Sequence, residues 1–159
     1  MTANRYQPHL LILPEDDANR QFANGFCGRF ATRQIQVLRE ARGWPGVCRI
    51  FEDDYIDYMR RWAEALMVLI VDFDGSTHRL YEVQNHVPQD LAARVFILGA
   101  FTEPEALRSA GLGHFEDLGD RLASDCPPAA AGLWSHALLA HNLGEINRFR
   151  ATGSSRLLV

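Results

Sequence analysis

The sequence predicts an α/β domain in which a mainly parallel sheet has helices on both faces. One observation behind this prediction is a set of three apolar runs that suit buried strands, at His9–Leu13, Leu66–Val71 and Arg94–Phe101. The other is that a segment of helical length separates each run from the next, and crossover connections of this kind join parallel strands. At 159 residues the chain fits one domain that spans residues 1–159.

The first apolar run ends at Pro14 and leads directly into acid and then into a helical pattern. Phe22, Phe26 and Phe30 recur every four residues, as on the side of a helix that packs against a sheet. Asp16 and Asp17 stand at the N-terminal end of this pattern, where carboxylates cap a helix and suit its dipole. We therefore expect both aspartates to serve the helix rather than a site.

The pattern between this helix and the central run is weaker. Gln34–Leu38 alternates polar and apolar residues, which favours a second strand. Gly43–Gly46 holds two glycines and a proline, so we expect a loop there. The apolar residues of Tyr55–Ala65 fall at helical spacing, with Asp53 or Asp54 as the expected cap.

The chain after the central run is mostly helical in tendency. Ser76–His86 has mixed helical character, and Thr102 is the expected cap of a short helix that carries Pro104 in its first turn and reaches Ala110.

The C-terminal third shows no evident chemistry, and its helical face could serve a homodimer or a partner protein. Helical segments are predicted at 115–123 and 133–149, with a break between them at 127–128. The apolar tail at 154–159 could add an edge strand.

Carboxylates follow three of the expected strands. The central run leads into Asp72-Phe73-Asp74-Gly75, Glu15 follows the first run, and Glu103 and Glu105 follow the third. Functional groups gather beyond the carboxyl ends of parallel strands, so these five acids should share one crevice. Carboxylates that converge repel one another, and the usual relief is a hard divalent cation. The sequence therefore predicts a site for Mg²⁺ or Mn²⁺ made by Glu15, Asp72, Asp74, Glu103 and Glu105.

Composition limits the chemistry and the partners. The chain has sixteen arginines and no lysine, which excludes any mechanism that needs a side-chain ammonium group. A formal net charge of −4 argues against a surface given over wholly to phosphate, although a local arginine cluster could still bind nucleic acid. The arginines considered for phosphate contacts are Arg20, Arg60, Arg61 and Arg108.

The cysteines and the apolar runs bear on the compartment. Cys27, Cys48 and Cys126 are far apart, which fits reduced thiols in a cytoplasmic protein. Residues 1–8 are polar and lack the apolar run that is typical of a signal peptide, and no stretch reaches the roughly 18 apolar residues that span a membrane. We expect a soluble cytoplasmic protein without a membrane partner.

The order of these acids along the chain resembles that of Toprim-like domains, the metal-binding module of topoisomerases, primases and related nucleases. The residues that carry the resemblance are Glu15, then Asp72-Phe73-Asp74, then Glu103 and Glu105. That family has a glutamate after its first strand, an Asp-x-Asp at the end of a later strand, and further acid after the next one. The resemblance covers about two thirds of the chain. It implies that Glu15 acts as general acid or base, or as a ligand, while Asp72 and Asp74 hold magnesium. The implied substrate is a nucleic acid phosphodiester or a nucleotide.

Other interpretations use the same residues. Val71–Ser76 looks like the nucleophile motif of haloacid-dehalogenase-type phosphatases. That family places the motif near its N-terminus and uses a downstream lysine, or occasionally arginine, with a later acidic pair. Here the motif lies almost halfway along the chain, there is no lysine, and the later candidate pair Glu116-Asp117 follows no apolar strand. The chain also looks like a receiver domain of two-component signalling. In that comparison Leu11–Asp17 resembles the first strand and acidic pair, Asp72 or Asp74 the phosphoacceptor, and Thr102 the switch hydroxyl. The lysine that receiver domains have near the fifth strand is missing here. A third alternative is a binding or assembly protein that keeps the α/β scaffold without catalysis.

Overall fold

A computed structural model describes residues 3–29, 33–124, 132–154 and 157. Within these residues the strands are His9–Pro14 (β1), Ile35–Val37 (β2), Ala65–Ile70 (β3) and Val95–Leu98 (β4). They form one sheet in the order β2-β1-β3-β4, and each neighbouring pair is parallel. The predicted α/β class with a parallel sheet is confirmed.

Seven α-helices surround the sheet in the described residues. They are Asp17–Gly28 (α1), Gly43–Ile50 (α2), Ile56–Arg61 (α3), Arg79–Gln84 (α4), Pro104–Ser109 (α5), Phe115–Ser124 (α6) and Leu143–Phe149 (α7). Shorter turns are π-helical at Phe51–Tyr55 and Arg150–Ser154, and 3-10 at Ala92–Arg94, Leu133–Ser135 and Ala140–Asn142.

Alternation along the strands sends side chains into two separate cores. Leu11 and Leu13 of β1 pack on one face with residues of α2, α3 and α4, including Val47, Met59 and Val83. Leu10 and Ile12 point to the other face and pack with Ala23 of α1 and Phe149 of α7. A third cluster, which includes Leu107, Leu118 and Ile146, joins α5, α6 and α7. The sheet therefore carries helices on both faces, as the sequence predicts.

The predicted loop at Gly43–Gly46 is wrong, because these residues form the first turn of α2. Pro45 fits there, since the first turn of a helix leaves backbone N–H groups unpaired and proline lacks that group. The burial of Val47, Cys48 and Phe51 stabilises the helix that follows.

Three further local predictions need correction. Asp53 and Asp54 do not cap a helix, because α2 runs through the π-helical turn into α3 and leaves both aspartates inside it. The N-cap of α5 is Glu103 rather than Thr102, and its side chain makes no capping bond. The helix predicted at 133–149 is α7 preceded by two 3-10 turns.

Some predictions fall outside the described residues or agree with them. Phe30, Cys126, Pro127 and Pro128 are outside, as is most of the predicted edge strand at the tail. The prediction of a helical C-terminal third stays a prediction.

The described cysteines agree with the sequence analysis. Cys27 and Cys48 are free thiols, and burial raises the pKa of Cys48 to about 11, which fits a packing role. None of the helices formed by the described residues has the length and apolar character needed to cross a bilayer.

Two glycines allow α1 and α6 to cross in close contact. A Cβ on Gly25 would lie 1.9 Å from the carbonyl oxygen of Glu116, and one on Gly119 would lie 2.1 Å from that of Phe22. Both neighbours are backbone, which cannot rotate away as a side chain can. The crossing holds α6 against the helix that follows Glu15.

We predict that Gly119→Ala lowers the free energy of unfolding by about 3 kcal/mol, because the two helices must separate. Gly144→Ala is the control, since a Cβ on Gly144 would have no atom within 4 Å, and alanine favours a helix by up to about 1 kcal/mol over glycine. Urea unfolding measures both. Equal stabilities of the two variants would contradict the close crossing.

Candidate functional site

The side chain of Glu15 reaches the backbone of Asp72 because β1 and β3 are neighbours in the sheet. The N–H of Glu15 donates to the carbonyl of Ile70 at 2.8 Å, which extends the ladder by one bond. The N–H of Asp72 donates to Glu15 Oε2 at 2.6 Å. A carboxylate thus takes the place of the next carbonyl at the end of the sheet. Glu15 and Asp72 are each only 8% exposed.

The environment of Glu15 favours its protonated form. Burial, together with the charges of Asp72, Asp16 and Asp74, raises the pKa of Glu15 to about 7, although the hydrogen bond from the Asp72 amide lowers it. A carboxyl group with this pKa gains and loses a proton near neutral pH. That property suits a general acid or base.

Asn19 holds the carboxylate of Asp72 from the first turn of α1. Its Nδ2 donates to Asp72 Oδ1 at 2.9 Å and to Asp16 Oδ1 at 3.0 Å. Asp16 also accepts from the backbone N–H of Asn19, which confirms Asp16 as the helix cap. Burial raises the pKa of Asp72 to about 6 with help from nearby acids, the bond from Asn19 opposing this.

Asp74 stands in a tight turn directly after Asp72. Asp74 and Gly75 have φ of 51° and 72°, and Ser76 N–H donates to the carbonyl of Phe73 at 2.8 Å. Positive φ at both central residues is the requirement of a type I′ turn, which Asp-Gly satisfies at low cost. The turn exposes the Asp74 carboxylate while Phe73 stays buried.

Arg79 is a buried cation that holds this turn. Its Nη1 donates to the carbonyl of Asp72 at 2.7 Å and to Asp74 Oδ2 at 2.8 Å, and its Nε donates to Glu82 at 2.9 Å. The guanidinium also lies 4.6 Å from the ring centre of Trp44, in cation–π geometry. Four contacts on one guanidinium fix the backbone of Asp72 and the side chain of Asp74 together.

The acids after β4 are placed differently from each other. The charge of Glu105 contributes to the raised pKa of Asp72, so Glu105 belongs to the same electrostatic group. Glu103 is exposed at the start of α5, and no described contact joins it to the other four acids. The loops themselves run together, with Asp74 N–H donating to the carbonyl of Thr102 at 3.1 Å.

The donor chemistry of this edge fits Mg²⁺ or Mn²⁺, whose preferred ligands are carboxylate oxygens. No three Asp, Glu, His or Cys side chains within residues 3–29, 33–124, 132–154 and 157 are grouped so that they could hold a metal ion. The reason is visible in the bonds, since Asp74 is turned to Arg79 and Glu15 faces the amide of Asp72. A cation at this edge would have to use oxygens that these bonds leave open, namely Asp72 Oδ2 and Asp74 Oδ1.

The arginines considered from the sequence are mostly engaged elsewhere. Arg20 pairs with Asp17 and Glu40, and Arg60 pairs with Asp90. Arg61 and Arg108 lie over the rings of Trp62 and Phe115.

The edge has two other exposed arginines, Arg39 and Arg42, in the loop that follows β2. Ala41 in this loop donates its N–H to the carbonyl of Pro14 at 2.9 Å, directly before Glu15. Neither arginine pairs with a carboxylate in the part of the chain that the structure describes.

Besides Arg39 and Arg42, the sequence analysis missed Asn19 and Arg79. A signal for Asn19 was present, because it falls three residues before Phe22 and seven before Phe26, on the apolar stripe of α1. A polar residue in such a stripe usually needs a buried partner. Arg79 gave no comparable signal, since its role depends on Trp44, which is 35 residues away in the sequence.

The raised pKa of Glu15 predicts a pH-dependent stability. The unfolded chain ionises this group near its ordinary pKa of 4.5, whereas the folded protein ionises it near 7. The contribution of Glu15 to folding is therefore complete below about pH 4.5 and is lost as the pH rises through 7. Glu15→Gln keeps an acceptor for the Asp72 amide, so unfolding measured from pH 4 to 8 should show a smaller fall in stability than in the wild type. The control is Glu64→Gln at the opposite end of the sheet, which should leave the pH dependence as in the wild type. If Glu15→Gln lost as much stability between pH 4 and 8 as the wild type, the raised pKa of Glu15 would be contradicted.

Arg79 and Arg60 offer a matched pair of substitutions, since each binds an aspartate. The Arg79 side chain is 10% exposed and that of Arg60 is 50% exposed. Arg79→Gln should lower the free energy of unfolding by roughly 2 to 3 kcal/mol, because a carbonyl bond and the contact with Trp44 are lost. Arg60→Gln should cost less than about 1 kcal/mol. Chemical denaturation measures the free energy of unfolding of both variants. A smaller loss of stability in Arg79→Gln than in Arg60→Gln would refute the anchoring role of Arg79.

Comparison with known proteins adds no relative to this picture. No protein-family model matches the chain, and no curated protein or solved structure matches it. The Toprim resemblance is therefore neither supported nor opposed by a relative.

Proposed function

We propose that the chain is a metal-dependent phosphodiester-processing protein of the Toprim type that acts on nucleic acid or nucleotides. The observation that carries the proposal is the junction of β1 and β3, where Glu15 and Asp72 are both buried and the backbone N–H of Asp72 donates to Glu15 Oε2 at 2.6 Å. Burying acids without a compensating cation raises their pKa and costs stability, and such groups concentrate at functional sites.

Glu15 is the residue we assign to proton transfer. Its pKa of about 7 allows it to accept a proton from a nucleophile or to return one to a leaving oxygen near neutral pH. The Asp72 amide fixes one of its oxygens, which leaves the other for this task.

Asp72 and Asp74 are the residues we assign to cation binding, with Glu105 as the nearest further acid. Mg²⁺ or Mn²⁺ at this position would neutralise phosphate charge and lower the pKa of a bound water. Asn19 orients Asp72, and Arg79 holds one oxygen of Asp74. These outer contacts are of the kind that fix the direction of metal ligands.

Arg39 and Arg42 are the residues we assign to the phosphates of the substrate. Both are exposed at the same end of the sheet as Glu15. Guanidinium groups bind phosphate oxygens in pairs of parallel hydrogen bonds, which holds a backbone in place without reading its sequence.

A receiver-like signalling domain is the alternative that shares the most residues with this proposal. Receiver domains use a lysine near a fifth strand, and this chain has no lysine. Side chains of α7 occupy the free edge of β4, where Glu145 accepts from Ile97 N–H at 3.0 Å and Arg148 donates to the carbonyl of Val95 at 2.8 Å. The metal-dependent function requires neither a lysine nor a fifth strand.

The test of this proposal is a titration with Mn²⁺ and Mg²⁺ by calorimetry. We expect one site in the wild type, with affinity at least about tenfold lower in Asp72→Asn plus Asp74→Asn, since both assigned ligands lose their charge. Asp53→Asn plus Asp54→Asn is the matched control, because it removes the same charge from exposed residues between α2 and α3. Equal affinity in the two double variants would exclude the assigned site.

Labelled DNA and RNA incubated with Mn²⁺ then test the reaction. We expect cleavage that Glu15→Gln abolishes while metal binding at Asp72 persists. Metal binding without cleavage of either substrate would favour the binding or assembly protein, and binding of beryllofluoride with magnesium would favour the receiver-like alternative.

A further inference from the structure

A cavity of about 100 Å³ lies between the sheet and the helical layer made by α1, α5, α6 and α7. It is situated where the core cluster on β1 and β3 meets the cluster around Leu107 and Ile146. Its lining includes Ile12, Val68 and Leu98 from the strands and Ala23 and Phe26 from α1. The cavity therefore lies beneath the sheet end that carries Glu15 and Asp72.

The lining of this cavity is almost entirely apolar. Among the described residues, no charged side chain lines it, and its side-chain amides are those of Asn19 and Asn142. Asn19 donates to Asp16 and Asp72, and Asn142 exchanges bonds of 2.9 and 3.1 Å with the backbone of Gly99. A water molecule needs two to four polar partners, so this space suits water poorly.

We propose that this cavity is a binding site for a small, uncharged apolar molecule or ring. An engineered cavity of about 150 Å³ with a similar lining binds benzene and xenon, which sets the scale of the ligand. No charged or strongly polar ligand fits, because no described lining group is available to replace its hydration. Asn19 lines the cavity and also holds Asp72, so the ligand contacts the helix that orders the acidic edge. The proposal does not depend on the proposed function.

Two buried alanines give a matched test. Ala23 on α1 lines the cavity, whereas Ala123 on α6 is buried to a similar extent and does not line it. Valine at either position has the same cost in helix propensity, but only Ala23→Val fills the space. Thermal unfolding in water saturated with benzene should show a higher midpoint for the wild type and for Ala123→Val, and no rise for Ala23→Val.

Xenon provides a second readout that does not require a variant to fold. Under xenon pressure, the methyl resonances of Val68 and Ile12 should shift, while those of Val47 and Val83, in the core on the opposite face, should stay in place. An unchanged midpoint of the wild type in benzene would overturn the proposal. Equal methyl shifts on both faces would do the same.

Discussion

The parallel pairing of β1 with β3 is the constraint on which the acidic edge depends. It places Glu15 beside the last carbonyls of β3, so that its N–H binds Ile70 and its carboxylate receives the amide of Asp72. If β2 lay between these strands, Glu15 would be about 5 Å further away and no such bond would form. The strand order therefore brings together two acids that are 57 residues apart in the sequence.

Buried acids are costly, and this protein balances Glu15 and Asp72 with dipoles rather than with a cation paired to either carboxylate. The Asp72 amide donates to Glu15 and Asn19 donates to Asp72, whereas Arg79 pairs with the exposed carboxylate of Asp74 and with the carbonyl of Asp72. The balance is incomplete, because the pKa of Glu15 remains near 7 and that of Asp72 near 6. A fold selected for stability alone would replace such groups with apolar side chains, as happens when buried ion pairs are redesigned. Their presence at a strand end in place of apolar side chains fits the proposed function.

The sequence predicted the parts of this structure that depend on local pattern. The apolar runs of β1, β3 and β4 were clear because these strands are buried along most of their length. The stripe of α1 was clear because Phe22 and Phe26 recur at helical spacing. The start of α2 was missed because Gly43 and Pro45 are loop residues by propensity, and the burial of Val47 and Phe51 overrides that preference. The convergence of Glu15 and Asp72 could be predicted from parallel topology, whereas Arg79 could not, since its position depends on Trp44 from another part of the chain.

The end of the sheet at β4 also limits which acids can take part. An edge strand presents unpaired backbone groups that invite another strand. Here side chains of α7, and of Asn142 directly before it, satisfy these backbone groups. Glu145 accepts from Ile97 N–H, Asn142 accepts from Gly99 N–H, and Arg148 donates to the carbonyl of Val95. Glu145 is 7% exposed and is held by Arg148, so this arrangement is part of the core rather than a surface detail. Because a fifth strand has no free partner at this edge, acids on the described sheet can come only from the ends of β1 to β4. Of the acids that follow these strands, Glu15, Asp72 and Asp74 act on one another, and the charges of Asp16 and Glu105 also act on Asp72.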